Sequence, residues 1–213
     1  MRYALVTDVH GCANHLQSVL SHIAKQPRID EVFCLGDLFD CKVGKSRLAY
    51  FTYRDIWQVV EIDRRLIEWM PATRCIIGNQ EERIRELISA EEVPSELAPY
   101  LETPKTKDLP FGRLVHGHQF VWHERDEWTW HPLWERLKEH LLFYGHNHQN
   151  RLFQVNIKGS FAYEDVPITF GKPMELDPVA YHLINVGDVR RATPSWLLYD
   201  EDTSTVTFHR LSL

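Results

Sequence analysis

Aspartate, histidine and asparagine recur beside glycine at five places in the chain. These are Asp8-Val9-His10-Gly11, Gly36-Asp37-Leu38-Phe39-Asp40, Gly78-Asn79, His116-Gly117-His118 and Gly145-His146-Asn147-His148. Carboxylate, imidazole and carboxamide oxygen are ligands that suit manganese, iron, zinc or nickel. An H-x-H step on an extended chain sends both rings to one side, and the flanking glycines let the backbone turn sharply near a buried ion. Taken singly, each residue reads as a cap or turn; the recurrence is what points to metal. Asp8, His10, Asp37, Asn79, His116, His146 and His148 make seven candidate ligands, too many for one ordinary site. Two divalent ions sharing Asp37 would use them all. Ions about 3.5–4 Å apart with a water between them can clamp an in-line displacement at phosphorus.

Such a cluster needs strands that end at one edge of a sheet, and the apolar periodicity supplies them. A strand is expected over 2–8, followed by a helix over 13–25 in which Leu16, Val19, Leu20 and Ile23 share a face. A second strand is expected over 31–37, a helical repeat over 55–70, a third strand over 73–79 and a helix from Gln80 to Ser89. On that last helix Glu81, Glu82, Arg83, Arg85 and Glu86 read as an exposed face. Short strands are expected at 112–116, 119–122, 141–145, 151–157, 181–186, 195–200 and 204–210, with a helix at 132–139. The alternation predicts an α/β architecture of two packed sheets with helices outside, its site at the strands' carboxyl ends. His15, His22, His140, His182 and His209 fall on helix faces or remote strands and read as structural or solvated.

The 213 residues suit one domain spanning 1–213, 44% hydrophobic and 25% charged, with no repeat or low-complexity tract. A net charge of -6 argues against broad binding to nucleic acid or anionic membrane. No apolar run approaches the roughly 18 residues of a membrane span, and a strand starting at Arg2 leaves no room for a signal peptide. A cytoplasmic protein is expected. Cys12, Cys34, Cys41 and Cys75 form no C-x-x-C pair and read as reduced structural thiols.

The five motifs, in this order over residues 8–148, resemble those of the calcineurin-like metallophosphoesterases, especially their small single-domain bacterial and archaeal members. Leu183-Ile184-Asn185-Val186-Gly187-Asp188 is similar to the closing strand and loop of that family. The resemblance implies a four-layer α/β/β/α sandwich of two mixed sheets with a dinuclear metal site at the strand ends, manganese being the first choice of ion. It places one ion on Asp8, His10, Asp37 and His148, the other on Asp37, Asn79, His116 and His146, with Asp40 orienting a ligand or loop. Cys41-Lys42 stands where the protein serine/threonine phosphatases have Arg-Gly, which disfavours that branch. Many relatives carry a histidine where this chain has Gln80. A carboxamide can bond a phosphoryl oxygen but cannot protonate a leaving group. Phosphoanhydrides or activated diesters of a small, phosphorylated or nucleotide-like substrate are therefore expected, unless His118 or His123 supplies the proton. A phosphomonoesterase and a non-enzymatic scaffold of the same fold are the alternatives; a nuclease would need a basic groove. On this reading Gln80→His raises turnover of alkyl phosphate monoesters. Arg190 and Arg191 either hold phosphate or form a solvated pair. Residues 118–145, with Trp122, Trp128, Trp130 and Trp134, either form a lid whose aromatics stack on a base or sugar, or pack a local helix on a sheet.

Overall fold

Every residue of β1 (Arg2–Val6) is apolar after the first, so both of its faces are buried. The period-2 alternation sends Tyr3 and Leu5 one way, with Phe33 of β2 (Glu31–Cys34), and Ala4 and Val6 the other. The second face is covered by α1 (Ala13–Ile23), whose Ala13, Leu16, Val19 and Ile23 recur at helical spacing and are buried. This computed structural model describes residues 1–110, 112–126, 129–133, 140–156 and 162–213.

The helix expected over 55–70 is broken. Asp55 accepts a hydrogen bond from Trp57 N–H and starts a single 3-10 turn, and Val60 then pairs with Cys41 in an isolated bridge. Asp63 accepts from Arg65 N–H, so α2 (Arg64–Trp69) begins only after that cap. The strand expected over 73–79 shrinks to one parallel bridge between Cys34 and Cys75. Beyond it, Ile77 N–H turns to Pro104 O instead of a strand partner. α3 (Asn79–Leu87) and α4 (Ala98–Leu101) complete the helical layer.

Strands β3 (Thr106–Leu109), β4 (Gly112–Val115), β5 (Trp122–Asp126), β6 (Thr129–Pro132), β7 (Leu141–Tyr144), β8 (Asn150–Asn156) and β9 (Ala162–Asp165) follow. The last four are β10 (Met174–Glu175), β11 (Tyr181–Val186), β12 (Ser195–Asp200) and β13 (Thr205–Arg210). They form two large mixed sheets, in the orders β10-β13-β12-β1-β2 and β3-β4-β7-β11-β8-β9, with β5 and β6 as a separate hairpin. β1 pairs parallel with β2 and antiparallel with β12, with Leu5 opposite Phe33 and Leu197. β7 runs parallel to both β4 and β11.

Between the sheets lie Leu5, Phe33, Phe143, Ile184, Leu197 and Phe208, all essentially buried. Burial of such side chains contributes about 1.5–3 kcal/mol each. The outer face of the second sheet packs Leu142, Tyr144, Phe153 and Leu183 against Phe120, Trp122 and Tyr163. Among the described residues the cover on that side is the β5–β6 hairpin, not the strand 119–122 expected there. The helix expected at 132–139 falls mostly on 134–139, outside the described residues, as do Trp128 and Trp134. His22 and His209 pack around Trp196, His140 stacks on Tyr181, and His182 is buried.

Candidate metal centre

The loops after β1, β2, β4 and β7, with the start of α3, meet at one edge of the two sheets. The Asp8 and Asp37 loops are zipped together by backbone bonds, Asp8 N–H to Gly36 O and His10 N–H to Asp37 O. Asp8, His10, Asp37, His146 and His148 all have positive φ, from 48° to 73°. That conformation is costly for residues with a Cβ and persists only when the surroundings impose it. Here it folds each chain back at a strand end so that successive side chains aim at one point. Gly78 and Gly145 serve by close approach: a Cβ on either would overlap the carboxylate of Asp37 or of Asp8, respectively.

Both carboxylates have one oxygen tied down and the other turned inward. Asp8 Oδ2 accepts from Thr7 Oγ1 at 2.8 Å and His146 N–H at 2.9 Å, while the buried Oδ1 has no hydrogen-bond partner. Asp37 Oδ1 accepts from Gln80 N–H, in the first turn of α3, at 2.8 Å. Its Oδ2 lies 3.7 Å from His10 Nε2 and 3.3 Å from His116 Nε2. Three imidazoles are oriented from behind. Nδ1 of His10 meets Asp40 at 3.1 Å, that of His116 meets Leu35 O at 2.8 Å, and that of His148 meets Asp188 at 3.1 Å. An acceptor at Nδ1 takes the ring proton there and leaves the Nε2 lone pair facing the centre.

Two groups of donors converge closely enough to hold an ion, Asp8 with His10 and His148, and Asp8 with Asp37 and His116. A lone pair aimed at a carboxylate oxygen is repulsive unless a proton or cation lies between, and His10 Nε2, 3.7 Å from Asp8 Oδ1, is itself buried without a partner. The electrostatics answer the same need. Burial opposes charge on His10 and His116, but Asp40, Asp8 and Asp37 lift His10 to about 9, and Asp37 and Asp8 lift His116 to about 10. Burial works against the ionised form of Asp8 too, yet His10, His116 and His148 hold it well below the usual carboxylate range. The donor set therefore fits divalent cations. The carboxylate common to both groups is Asp8, whereas Asp37 was expected to be shared; Asp37 Oδ2 nonetheless faces one histidine of each.

Asn79 Oδ1 lies 3.1 Å from His116 Nε2, at the second group. His146 lies beside it, ring 5.3 Å from that of His116, and burial with the neighbouring His116 charge lowers it to about 4. His118 Nε2 meets Glu82 at 2.9 Å, its buried Nδ1 unpartnered, and burial and His116 hold it below its ordinary value against the pull of Glu82. Arg191 is committed to Asp188 at 3.2 Å, while the exposed Arg190 makes no side-chain ion pair among the described residues. His123 packs edge-on against His131 on the hairpin.

Two expectations are corrected. Gln80, expected at the leaving group, turns its Oε1 to Cys41 N–H at 3.1 Å and to the Arg83 guanidinium, so it braces the loop after Asp40. Glu81 is not exposed: at 2% exposure, its carboxylate accepts from Asp37 N–H and Phe39 N–H at 3.0 Å and Gly78 N–H at 2.9 Å. Glu82 and Arg83 are half-buried as well, leaving only Arg85 and Glu86 on an open face. The sequence held a signal for Glu81, since a glutamate three residues after a helix N-cap commonly reaches back to it. Asp188 was part of a recognised motif, but its hold on His148 was missed.

A model of the calcineurin-like phosphoesterase family matches residues 1–167. A symmetrical bis(5'-nucleosyl)-tetraphosphatase of Serratia proteamaculans is 27% identical over 108 residues, 49% of this chain and 33% of that protein, so the match spans about a third of the relative's length. The crystal structure of a metallophosphoesterase from Sphaerobacter thermophilus has the same fold at 20% identity, with a TM-score of 0.65 over 99% of this chain and 88% of that one.

Proposed function

Because the chain belongs to the calcineurin-like phosphoesterase family, we propose that it hydrolyses a P–O bond in a small nucleotide-like substrate, with two divalent cations held at the strand ends. The observation that carries this reading is the buried, unpartnered Asp8 Oδ1 ringed by inward-facing histidine Nε2 atoms. Asp8, His10, Asp37 and His148 would hold one cation, and Asp37, Asn79, His116 and His146 the other, manganese being the first to test. Such cations supply Lewis acidity toward a phosphoryl oxygen and lower the pKa of water. Asp40, Asp188 and the Leu35 carbonyl keep three imidazoles in one tautomer and rotation. His118, held by Glu82, would give the proton to a leaving oxygen, and the exposed Arg190 would meet a phosphate. The tetraphosphatase relative supports a phosphoanhydride or activated diester over a simple monoester.

The test is hydrolysis of bis-p-nitrophenyl phosphate, p-nitrophenyl phosphate and diadenosine tetraphosphate with manganese, zinc, nickel or iron, repeated with Asp37→Asn. The expected result is metal-dependent turnover that Asp37→Asn reduces to background. Two bound ions with no turnover of any substrate would point to a binding scaffold instead.

A further inference from the structure

Two clefts border the centre, and they differ in chemistry. One, beside His10, is lined by Gly11, Asp40, Lys42, Glu61 and Asp63. Lys42 is already spent there, on Glu61 at 3.3 Å and Trp57 O at 3.0 Å, so the surplus is negative and repels a phosphate chain. Among the described residues the other, beside His146, is lined by Trp122, Trp130, His146, Asn147 and Gln149, none of them a carboxylate.

The hairpin builds the aromatic wall of that second cleft. Trp130 lies opposite Glu124, two residues from Trp122, so both indoles project from one face. Trp122 is fixed: Nε1 donates to Gly117 O at 3.1 Å, and the ring packs 5.7 Å from Tyr144 and 6.1 Å from His146. Trp130 is 38% exposed at the mouth. At the floor, Asn147 Oδ1 is taken by Asn185 and by Gln149 N–H, while its buried Nδ2 has no acceptor. A flat neutral ring covering Trp130 suits a cleft lined by aromatic and carboxamide side chains.

We propose that this cleft is a nucleobase subsite, stacking the base of a nucleotide on Trp130. The proposal rests on the phosphoesterase reading for the position of the phosphate, and calorimetry separates the two. Adenosine 5'-monophosphate and ribose 5-phosphate, which share the sugar phosphate and differ in the base, are titrated into the manganese-loaded protein. The nucleotide should bind about 5- to 150-fold more tightly, the worth of one base–aromatic stack. Trp130→Ala should erase that gap and Trp130→Phe retain most of it. Equal affinities in the parent protein, or a gap that survives Trp130→Ala, overturn the subsite whether or not substrates turn over. Absence of hydrolysis with the gap intact would overturn only the catalytic reading.

Discussion

Replacing Glu81 with glutamine tests whether one buried carboxylate holds the Asp37 and Asn79 loops in register. Its Oε2 accepts from Asp37 and Gly78, and its Oε1 from Phe39. Glutamine keeps one acceptor oxygen. Its better orientation serves the first two N–H groups and turns an NH₂ toward Phe39 N–H, so one bond to a charged acceptor is lost, worth about 1.5–3 kcal/mol. The two remaining bonds lose their charge assistance. Opposing this, glutamine escapes the desolvation that, with Asp37 nearby, pushes Glu81 up to about 7. The expected net cost is about 1–3 kcal/mol, a fall in Tm of about 2–12 °C for a chain of this size. Because one of the three donors belongs to Asp37 and another adjoins Asn79, manganese affinity should fall with stability. Circular dichroism melts and manganese calorimetry read the two effects, with Glu86→Gln, an exposed position on the same helix, as the control expected within about 0.5 kcal/mol of the parent. Stability and metal affinity both unchanged in Glu81→Gln would refute the bracing role.

Asp40→Ala removes the acceptor behind His10, and Asp188→Asn leaves only a neutral carboxamide oxygen behind His148; each should lower manganese affinity about 10- to 100-fold with the melt little changed, as calorimetry and circular dichroism would show. Gln80→His removes the acceptor for Cys41 N–H, so turnover of alkyl phosphate monoesters should stay flat or fall; a rise in a monoester assay would restore the leaving-group role. Burial, with His22 nearby, pushes His209 down to about 4, so it is neutral in the fold while the unfolded histidine titrates near 6.5. Its contribution is present above about pH 6.5 and is lost as pH falls toward 4. His209→Phe, which keeps the stack on Trp196, should therefore lose about 1–2 kcal/mol less than the parent between pH 7 and 4.5 in urea titrations.

The candidate cluster was legible because each of its seven residues sits within three residues of a glycine at the end of an apolar run, a wholly local pattern. The strands over 181–186 and 195–200 were legible because each carries an apolar run at its centre, Leu183-Ile184 and Trp196 to Tyr199. What escaped was long-range or directional. Glu81 reaches Asp37 across 44 residues, and no helical periodicity reports that. Gln80 was read by its neighbour in sequence, yet its side chain leaves the helix on the side of Cys41. The helix over 55–70 failed because two aspartates competed for backbone N–H groups inside an otherwise periodic run. The positive φ values are likewise invisible in residue types such as histidine, since the fold imposes them.

β1 lies between β2 and β12, and Val189 and Arg190 donate their N–H groups to Thr7 O and Asp8 O. Asp8 and Trp196 are 188 positions apart, so at about 5–20 residues per second the ribosome makes them roughly 10–40 s apart. Through that interval the Asp8 loop exists without the bonds from Val189 and Arg190 and without β12 beside β1. A fragment ending at residue 167 would carry all seven candidate ligands and still lack β12 and β11, the strands that flank β1 and β7.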